Sequence, residues 1–203
     1  MTPVAAAALV PLLAVAAPRP GAPDLVDVAR AIPDATIDLR YATRRNVVGR
    51  AMYPPGARCL LLRPVAERLA RAAARLRAQG FTLRLWDCYR PLAVQRELWR
   101  VQPTPGLVAD PRTGSNHNRG AAVDAALAGP AGVELELPTD FDAFGPRARA
   151  SATEGVSPAA RRHRELLRAA LVAEGFRPIR LEWWHFDAPE ARGTPLLDEP
   201  LAP

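Results

Sequence analysis

Two stretches of this chain combine side chains that can bind a metal ion with side chains that can transfer a proton. The first places His117 in a polar loop shortly before Asp124, which lies in a run of small apolar residues. The second, residues 181–187, is aromatic and apolar but contains Glu182 and His185. Buried carboxylates and imidazoles are costly unless they are paired, hydrogen-bonded or bound to a metal. Each stretch by itself is also compatible with a core strand or a structural histidine.

Taken together, His117, Asp124 and His185 form a ligand set that suits zinc. Two imidazoles and one carboxylate leave the fourth position of a tetrahedral ion open for water, which is the pattern of catalytic zinc. Glu182 precedes His185 by three residues and would act as the general base towards that water. Residues three apart in an ideal strand point to opposite faces. The hypothesis therefore requires either a bulge here or an approach of Glu182 from the edge of the strand.

The composition is that of one ordinary domain with a basic bias. The chain has 203 residues, of which 49% are hydrophobic and 24% charged, and its formal net charge is +6. All 27 basic residues are arginines, and they are spread along the chain rather than clustered. Aromatic residues do not alternate with them as a stacking platform for nucleic acid would require. We therefore attribute the basicity to compositional bias and expect no nucleic-acid partner.

The first residues differ in composition from the rest. The segment from Val4 to Ala17 is uncharged and mostly Ala, Leu and Val, and residues 14–16 fit a small-x-small cleavage site. This length suits a signal-peptide core and is too short to span a membrane, although the usual basic residues before it are missing. We expect residues 1–17 to be a signal peptide, and the protein to be periplasmic or secreted without stable membrane insertion. If the segment is not a functional signal, the protein is cytoplasmic.

Helix and strand signals are interspersed along the remaining chain. The predicted helices cover residues 64–80, 91–99 and 157–175, and the predicted strands cover residues 36–41, 81–87, 121–127 and 177–187. This order predicts an α+β fold in which helices pack on a small, mainly antiparallel sheet. We expect a Pro-rich linker at residues 18–33, a single domain at residues 34–188 and an irregular tail at residues 189–203.

The chain contains two cysteines, Cys59 and Cys88. An even number of cysteines in an exported chain favours a disulfide. Cys59 lies just before a predicted helix and Cys88 just after the strand that follows it, so the two can be close. We predict a disulfide between them, with two buried free thiols as the alternative.

The two metal-binding stretches resemble the signature motifs of a known family. The motif SxHxxGxxxD that ends at Asp124 and the motif ExWH that ends at His185 are similar to those of the zinc D-alanyl-D-alanine dipeptidases. These include the vancomycin-resistance-type dipeptidases and belong to the D,D-carboxypeptidase-like zinc peptidases. Residues 37–43 with Asn46 and Gly49, together with residues 86–91, resemble the dipeptidase branch specifically. The similarity can be followed from about residue 34 to 188.

The resemblance implies a role for each residue that matches a motif. His117, Asp124 and His185 would bind one zinc ion per chain, and Glu182 would be the general base. Arg90, in the Tyr-Arg-Pro segment, would stabilise the oxyanion of the tetrahedral intermediate. Zinc and a fixed guanidinium can together offset the negative charge that develops on the carbonyl oxygen.

A dipeptidase must also bind both ends of its substrate. Asp142 is the candidate for the substrate ammonium because its segment resembles the family, and Asp140 is the close competitor. Ser115 and Arg90 are the candidates for the substrate carboxylate, although Ser115 could equally be structural.

The implied activity is zinc-dependent hydrolysis of D-alanyl-D-alanine, a cell-wall dipeptide. The first alternative is a D,D-carboxypeptidase or peptidoglycan endopeptidase with the same zinc site and a longer substrate. The second is a non-catalytic zinc-binding protein on this fold, which would have no use for Glu182. The sequence leaves the oligomeric state and the physiological role open.

Overall fold

The computed structural model describes residues 23–202, so the predicted signal peptide lies outside the described residues. The strands are β1 (Leu25–Asp27), β2 (Thr36–Ile37), β3 (Leu60–Leu62), β4 (Thr82–Asp87), β5 (Ala122–Ala128), β6 (Arg177–Pro178) and β7 (His185–Asp187). The helices are α1 (Val28–Ala31), α2 (Arg63–Arg77), α3 (Leu92–Val101) and α4 (Pro158–Ala173). Within the described range, no helix is both long and apolar enough to cross a membrane.

The main sheet has five strands in the order β2-β4-β5-β7-β6. The pair β2–β4 is parallel, and the other three pairs are antiparallel. β1 and β3 form a separate antiparallel pair. The predicted α+β fold with a mainly antiparallel sheet is therefore confirmed.

The central strand β5 is buried along its whole length. Its residues are small, apart from Val123, Asp124 and Leu127, so neighbouring elements can approach it closely. Helix α4 packs on β5, and helix α2 packs on both α4 and β4. Asp124 is the one charged side chain in this strand, and its burial needs compensation from the neighbouring strands.

Helix α2 follows the predicted amphipathic pattern closely. Its buried residues recur at helical spacing and are Val65, Ala66, Leu69, Ala72, Ala73 and Leu76. Pro64 lies in its first turn, where the missing backbone N–H removes no helical hydrogen bond. The chain leaves the helix through Gly80, which has φ +82°.

Two predicted strands are shorter than the sequence pattern indicated. The strand predicted over residues 36–41 ends at Ile37. The N–H of Asp38 still donates to the carbonyl of Leu85 (2.9 Å), and the chain then enters a 3-10 turn over Arg40–Ala42. The strand predicted over residues 177–187 is wrong as a single element. Its two ends are β6 and β7, which pair antiparallel with each other, so the chain must reverse between them.

The packed domain begins before residue 34, so the predicted boundary of the linker is too late. β1 pairs with β3, and Val28 and Ile32 are fully buried in the core. At the other end the tail is largely irregular, but it packs on the domain. Leu201 is buried, and its carbonyl accepts a hydrogen bond from Arg58 N (3.1 Å).

The packing of α2 predicts that Val65→Ala lowers the free energy of unfolding by about 2 kcal/mol, because two buried methyl groups are lost and a cavity remains. Urea denaturation measures this change. The matched control is Val172→Ala on α4, since Val172 is 44% exposed and its truncation should change stability by no more than about 0.5 kcal/mol. Equal losses in the two variants would contradict the described packing.

Candidate metal centre

Three neighbouring strands bring candidate ligands to one end of the sheet. Asp124 of β5 lies opposite His185 of β7 on one side and opposite Asp87 of β4 on the other. Directly paired residues of antiparallel strands point to the same face, so these three side chains converge. His117 joins them from a 3-10 turn over Asn116–Arg119. The ligand atoms of His117, Asp124 and His185 lie within 4.8 Å of one another.

The turn that carries His117 is held by its own sequence. Ser115 caps it: its hydroxyl accepts a hydrogen bond from His117 N (3.3 Å), and its own N–H donates to Asn118 Oδ1 (2.7 Å). Gly120 ends the turn with φ +65°. This conformation favours glycine, and a Cβ atom there would also lie 3.3 Å from the backbone nitrogen of Leu62.

Outer hydrogen bonds fix the tautomers of both histidines. His117 Nδ1 lies 2.7 Å from the carbonyl oxygen of Cys88, which can only accept, so Nδ1 carries the proton. His185 Nε2 donates in the same way to Asp187 Oδ1 (2.9 Å). The inner nitrogens, His117 Nε2 and His185 Nδ1, therefore face each other at 3.1 Å and are the atoms that a metal ion would bind.

The convergence of these lone pairs fits a cation. His117 Nε2 lies 3.3 Å from Asp124 Oδ2, and His185 Nδ1 lies 3.0 Å from Asp124 Oδ1. Three acceptors at such distances repel one another unless a positive charge lies between them. A tetrahedral ion with bonds of about 2.0 Å has ligand–ligand edges of roughly 3.3 Å. Both the donor chemistry and the spacing therefore suit zinc.

The electrostatics of the site agree with its preference for positive charge. Burial favours the neutral acid of Asp124, but His117 and His185 outweigh it and hold the pKa of Asp124 well below its ordinary value. Burial likewise disfavours the charged form of His185. Its hydrogen bonds to Asp124 and Asp187 outweigh this effect and raise the pKa of His185 well above its ordinary value.

Glu182 lies in the turn that precedes β7 rather than in a strand. The N–H of His185 donates to the carbonyl of Glu182 (3.3 Å), which closes a tight turn. This turn brings the two side chains together although they are three residues apart, and Glu182 Oε2 lies 4.0 Å from His185 Nδ1. Trp183 and Trp184 occupy the turn and are buried. Burial is the main cause that raises the pKa of Glu182 to about 7.

Arg90 is buried and clamped by two side chains that the sequence analysis did not single out. Its Nε and Nη2 donate to Asp87 Oδ2 (3.0 and 2.6 Å), and its Nη1 donates to Gln95 Oε1 (2.8 Å). The guanidinium also lies over the ring of Tyr41, 4.7 Å from its centroid. Asp87 additionally accepts hydrogen bonds from the hydroxyl of Tyr53 (2.5 Å) and from Cys88 N (3.0 Å). The sequence did contain a signal for Asp87, because it is a carboxylate at the end of a predicted strand, three residues before Arg90.

A cavity of about 310 Å³ joins the metal ligands to the remaining predicted residues. The residues of the sequence prediction that line it are Arg90, Ser115, His117, Asp124, Asp142, Glu182 and His185. Asp142 is mostly buried and accepts a hydrogen bond from Val47 N (3.0 Å), and burial is the main cause that raises its pKa to about 7. Asp140 lines a different cavity, and its carboxylate is paired with Arg40 and Arg45.

Cys59 and Cys88 are joined in a disulfide, and both are buried. Cys88 follows Asp87 directly, so the disulfide is adjacent to the residues that clamp Arg90 and to the carbonyl that orients His117.

Comparisons with known proteins agree on one family. A sequence model of a family described as D-ala-D-ala dipeptidase matches residues 22–201. A protein named D-alanyl-D-alanine dipeptidase from Escherichia coli is 41% identical over 174 residues, which cover 86% of this chain and 89% of that protein. Proteins with the same name from Enterococcus faecalis and Streptomyces coelicolor are 31% and 32% identical. These matches cover 80% and 75% of this chain, and 86% and 85% of the relatives.

We predict that Asp187→Ala lowers the zinc affinity about 10- to 100-fold, because His185 loses the acceptor that fixes the orientation of its ring. Competition with a chromogenic chelator measures the affinity. Asp34→Ala is the control, since it removes a carboxylate that pairs with Arg77 at the surface. Equal zinc affinity of Asp187→Ala and the unmodified protein would contradict the assigned role of Asp187.

Proposed function

The chain belongs to the D-Ala-D-Ala dipeptidase family and is a peptidase, and on this premise we propose that it hydrolyses D-alanyl-D-alanine with one zinc ion held by His117, Asp124 and His185. The observation that carries the proposal is the convergence of three lone-pair donors at 3.0–3.3 Å beside the buried carboxylate of Glu182. A purely structural zinc site would have no need of such a carboxylate.

Zinc, when bound, would supply Lewis acidity that polarises a carbonyl group and makes water more acidic. In this proposal the carboxylate of Glu182 accepts a proton from water as the water oxygen bonds to the peptide carbonyl carbon. The same carboxylate then delivers the proton to the amide nitrogen as the C–N bond breaks. The partly apolar surroundings that raise the pKa of Glu182 suit a group that both takes and returns a proton.

Arg90 would stabilise the oxyanion with N–H groups that its clamp leaves free. Each terminal nitrogen of the guanidinium has two N–H groups, and the hydrogen bonds to Gln95 and Asp87 use one on each nitrogen. One N–H on Nη1 and one on Nη2 therefore have no partner among the described residues, and Arg90 lines the cavity. Because Asp87 and Gln95 hold the group in place, it would not need to reorganise during the reaction.

Asp142 supports a substrate with a free amino terminus. We assign the substrate ammonium to this residue, because its carboxylate is buried in the cavity and has no arginine partner among the described residues. The hydroxyl of Ser115 could donate to the substrate carboxylate while it accepts the capping hydrogen bond from His117 N. A peptidoglycan stem would present an amide where the cavity offers Asp142, so the cavity favours the free dipeptide over the longer substrates of a D,D-carboxypeptidase.

We further propose that the protein works outside the cytoplasm. The support comes from the apolar, uncharged segment between Val4 and Ala17 and from the buried Cys59–Cys88 disulfide, since disulfides persist in oxidising compartments.

The role of Glu182 predicts that Glu182→Gln retains zinc but lowers kcat for D-Ala-D-Ala by about 10²–10⁴-fold, the usual contribution of a general acid–base group. Metal analysis and a D-alanine release assay on the same preparation measure both quantities. Retained turnover with a full complement of zinc would remove Glu182 from the mechanism.

The role of Asp142 predicts that Asp142→Asn lowers kcat/KM for D-Ala-D-Ala by about 10- to 100-fold, mainly through KM, because a charge-assisted hydrogen bond is lost. Asp140→Asn is the matched control, two residues away and outside the cavity. The unmodified protein should also cleave N-acetyl-D-Ala-D-Ala poorly. A larger effect of Asp140→Asn, or equal cleavage of the acetylated dipeptide, would contradict the assignment.

A further inference from the structure

The Cys59–Cys88 disulfide lies directly behind the metal site. The backbone carbonyl of Cys88 is the acceptor that fixes the proton of His117 on Nδ1, at 2.7 Å. We propose that this disulfide positions His117 for metal binding, so that the chain binds zinc more tightly in its oxidised form than in its reduced form. This inference rests on the proposed function, since it takes His117 to be a zinc ligand.

Cys88 lies just beyond the regular hydrogen bonding of the sheet. Strand β4 ends at Asp87, and its register with β5 shifts between Leu85 and Asp87. The N–H of Cys88 donates to the side chain of Asp87 rather than to a neighbouring strand (3.0 Å). The ladder of β4 and β5 therefore does not fix the Cys88 carbonyl, and the covalent bond to Cys59 is an anchor of this peptide.

The other end of the disulfide is firmly held. The carbonyl of Cys59 accepts a hydrogen bond from Val28 N (2.9 Å). The carbonyl of the next residue, Leu60, accepts one from Tyr89 N (2.8 Å), which belongs to the same peptide group as the Cys88 carbonyl. Val28 and Leu60 are both buried in the core. The disulfide and this hydrogen bond together tie the Cys88 peptide to the start of β3, and a fixed acceptor holds the His117 ring in one orientation.

The same segment couples His117 to Arg90. Arg90 N donates to the carbonyl of His117 (3.1 Å), and the side chain of Asn118 donates to the carbonyl of Arg90 (2.8 Å). A displacement of Cys88 would therefore move the ligand turn together with the arginine. This arrangement links metal affinity to the oxidation state of two side chains that touch neither metal nor substrate.

The burial of both cysteines determines when their oxidation state can change. Cys59 and Cys88 are 1% and 0% exposed, so a reductant cannot reach the sulfur atoms without local opening of the fold. The oxidation state is therefore set when the chain folds. Chain that folds in a reducing compartment would bind zinc weakly, and chain that folds in an oxidising compartment would bind it tightly.

The test compares the zinc affinity of the full chain with that of the double variant Cys59→Ala/Cys88→Ala, by competition with a chromogenic chelator. We expect the double variant to bind zinc about 10-fold more weakly at a temperature where circular dichroism shows both proteins folded. Val65→Ala is the control for lost stability, because it weakens α2 while the disulfide remains, and its zinc affinity should be unchanged. The ¹⁵N chemical shifts of the His117 ring should show a single Nδ1-protonated tautomer in the unmodified zinc-free protein and a mixture in the double variant.

Unchanged zinc affinity of the double variant, with only a lower melting temperature, would overturn the inference and leave the disulfide a stabilising crosslink. If the double variant does not fold, unmodified protein refolded with and without a phosphine reductant takes its place, with the same expected difference in affinity. Failure of the inference is distinguishable from failure of the proposed function. In the first case both redox forms bind zinc equally, and in the second the oxidised protein with all three ligands binds none.

Discussion

The structure of the site depends on the fixed tautomers of two histidines. His117 and His185 each donate their outer ring N–H to an acceptor behind them, the carbonyl of Cys88 and the carboxylate of Asp187. Their inner nitrogens consequently face Asp124. Such an arrangement is unstable in a buried site without a positive charge, and a zinc ion would satisfy it. The outer hydrogen bonds therefore determine what the inner atoms can bind.

The residues of the site lie partly on strands and partly in short turns. Asp87, Asp124 and His185 lie side by side on adjacent strands, where the sheet fixes their spacing. His117 and Glu182 lie in short turns that lead into β5 and β7. These turns are stabilised by capping, by a glycine in the left-handed conformation and by buried tryptophans. Glu182 can thus lie close to the candidate ligands without occupying a strand position, which would have directed it to the opposite face.

Much of this arrangement was predictable from the sequence, because it depends on local signals. Helix α2 follows from the spacing of its buried residues, and β5 from a small apolar run around Asp124. The three ligands follow from residue types whose burial needs compensation. The position of Glu182 was not predictable, because a run of aromatic residues has the same composition in a buried turn as in a buried strand. The antiparallel pairing of β6 and β7 forces the reversal, and pairing is a long-range property. The clamp of Asp87 and Gln95 around Arg90 depends on tertiary contacts for the same reason.

The most direct test of the account measures metal content and D-Ala-D-Ala hydrolysis on one preparation, before and after chelation. The account predicts one zinc ion per chain, release of D-alanine, loss of that release when the metal is removed and its recovery when zinc is returned. Zinc-loaded protein with His117, Asp124 and His185 intact that releases no D-alanine from the dipeptide would contradict it.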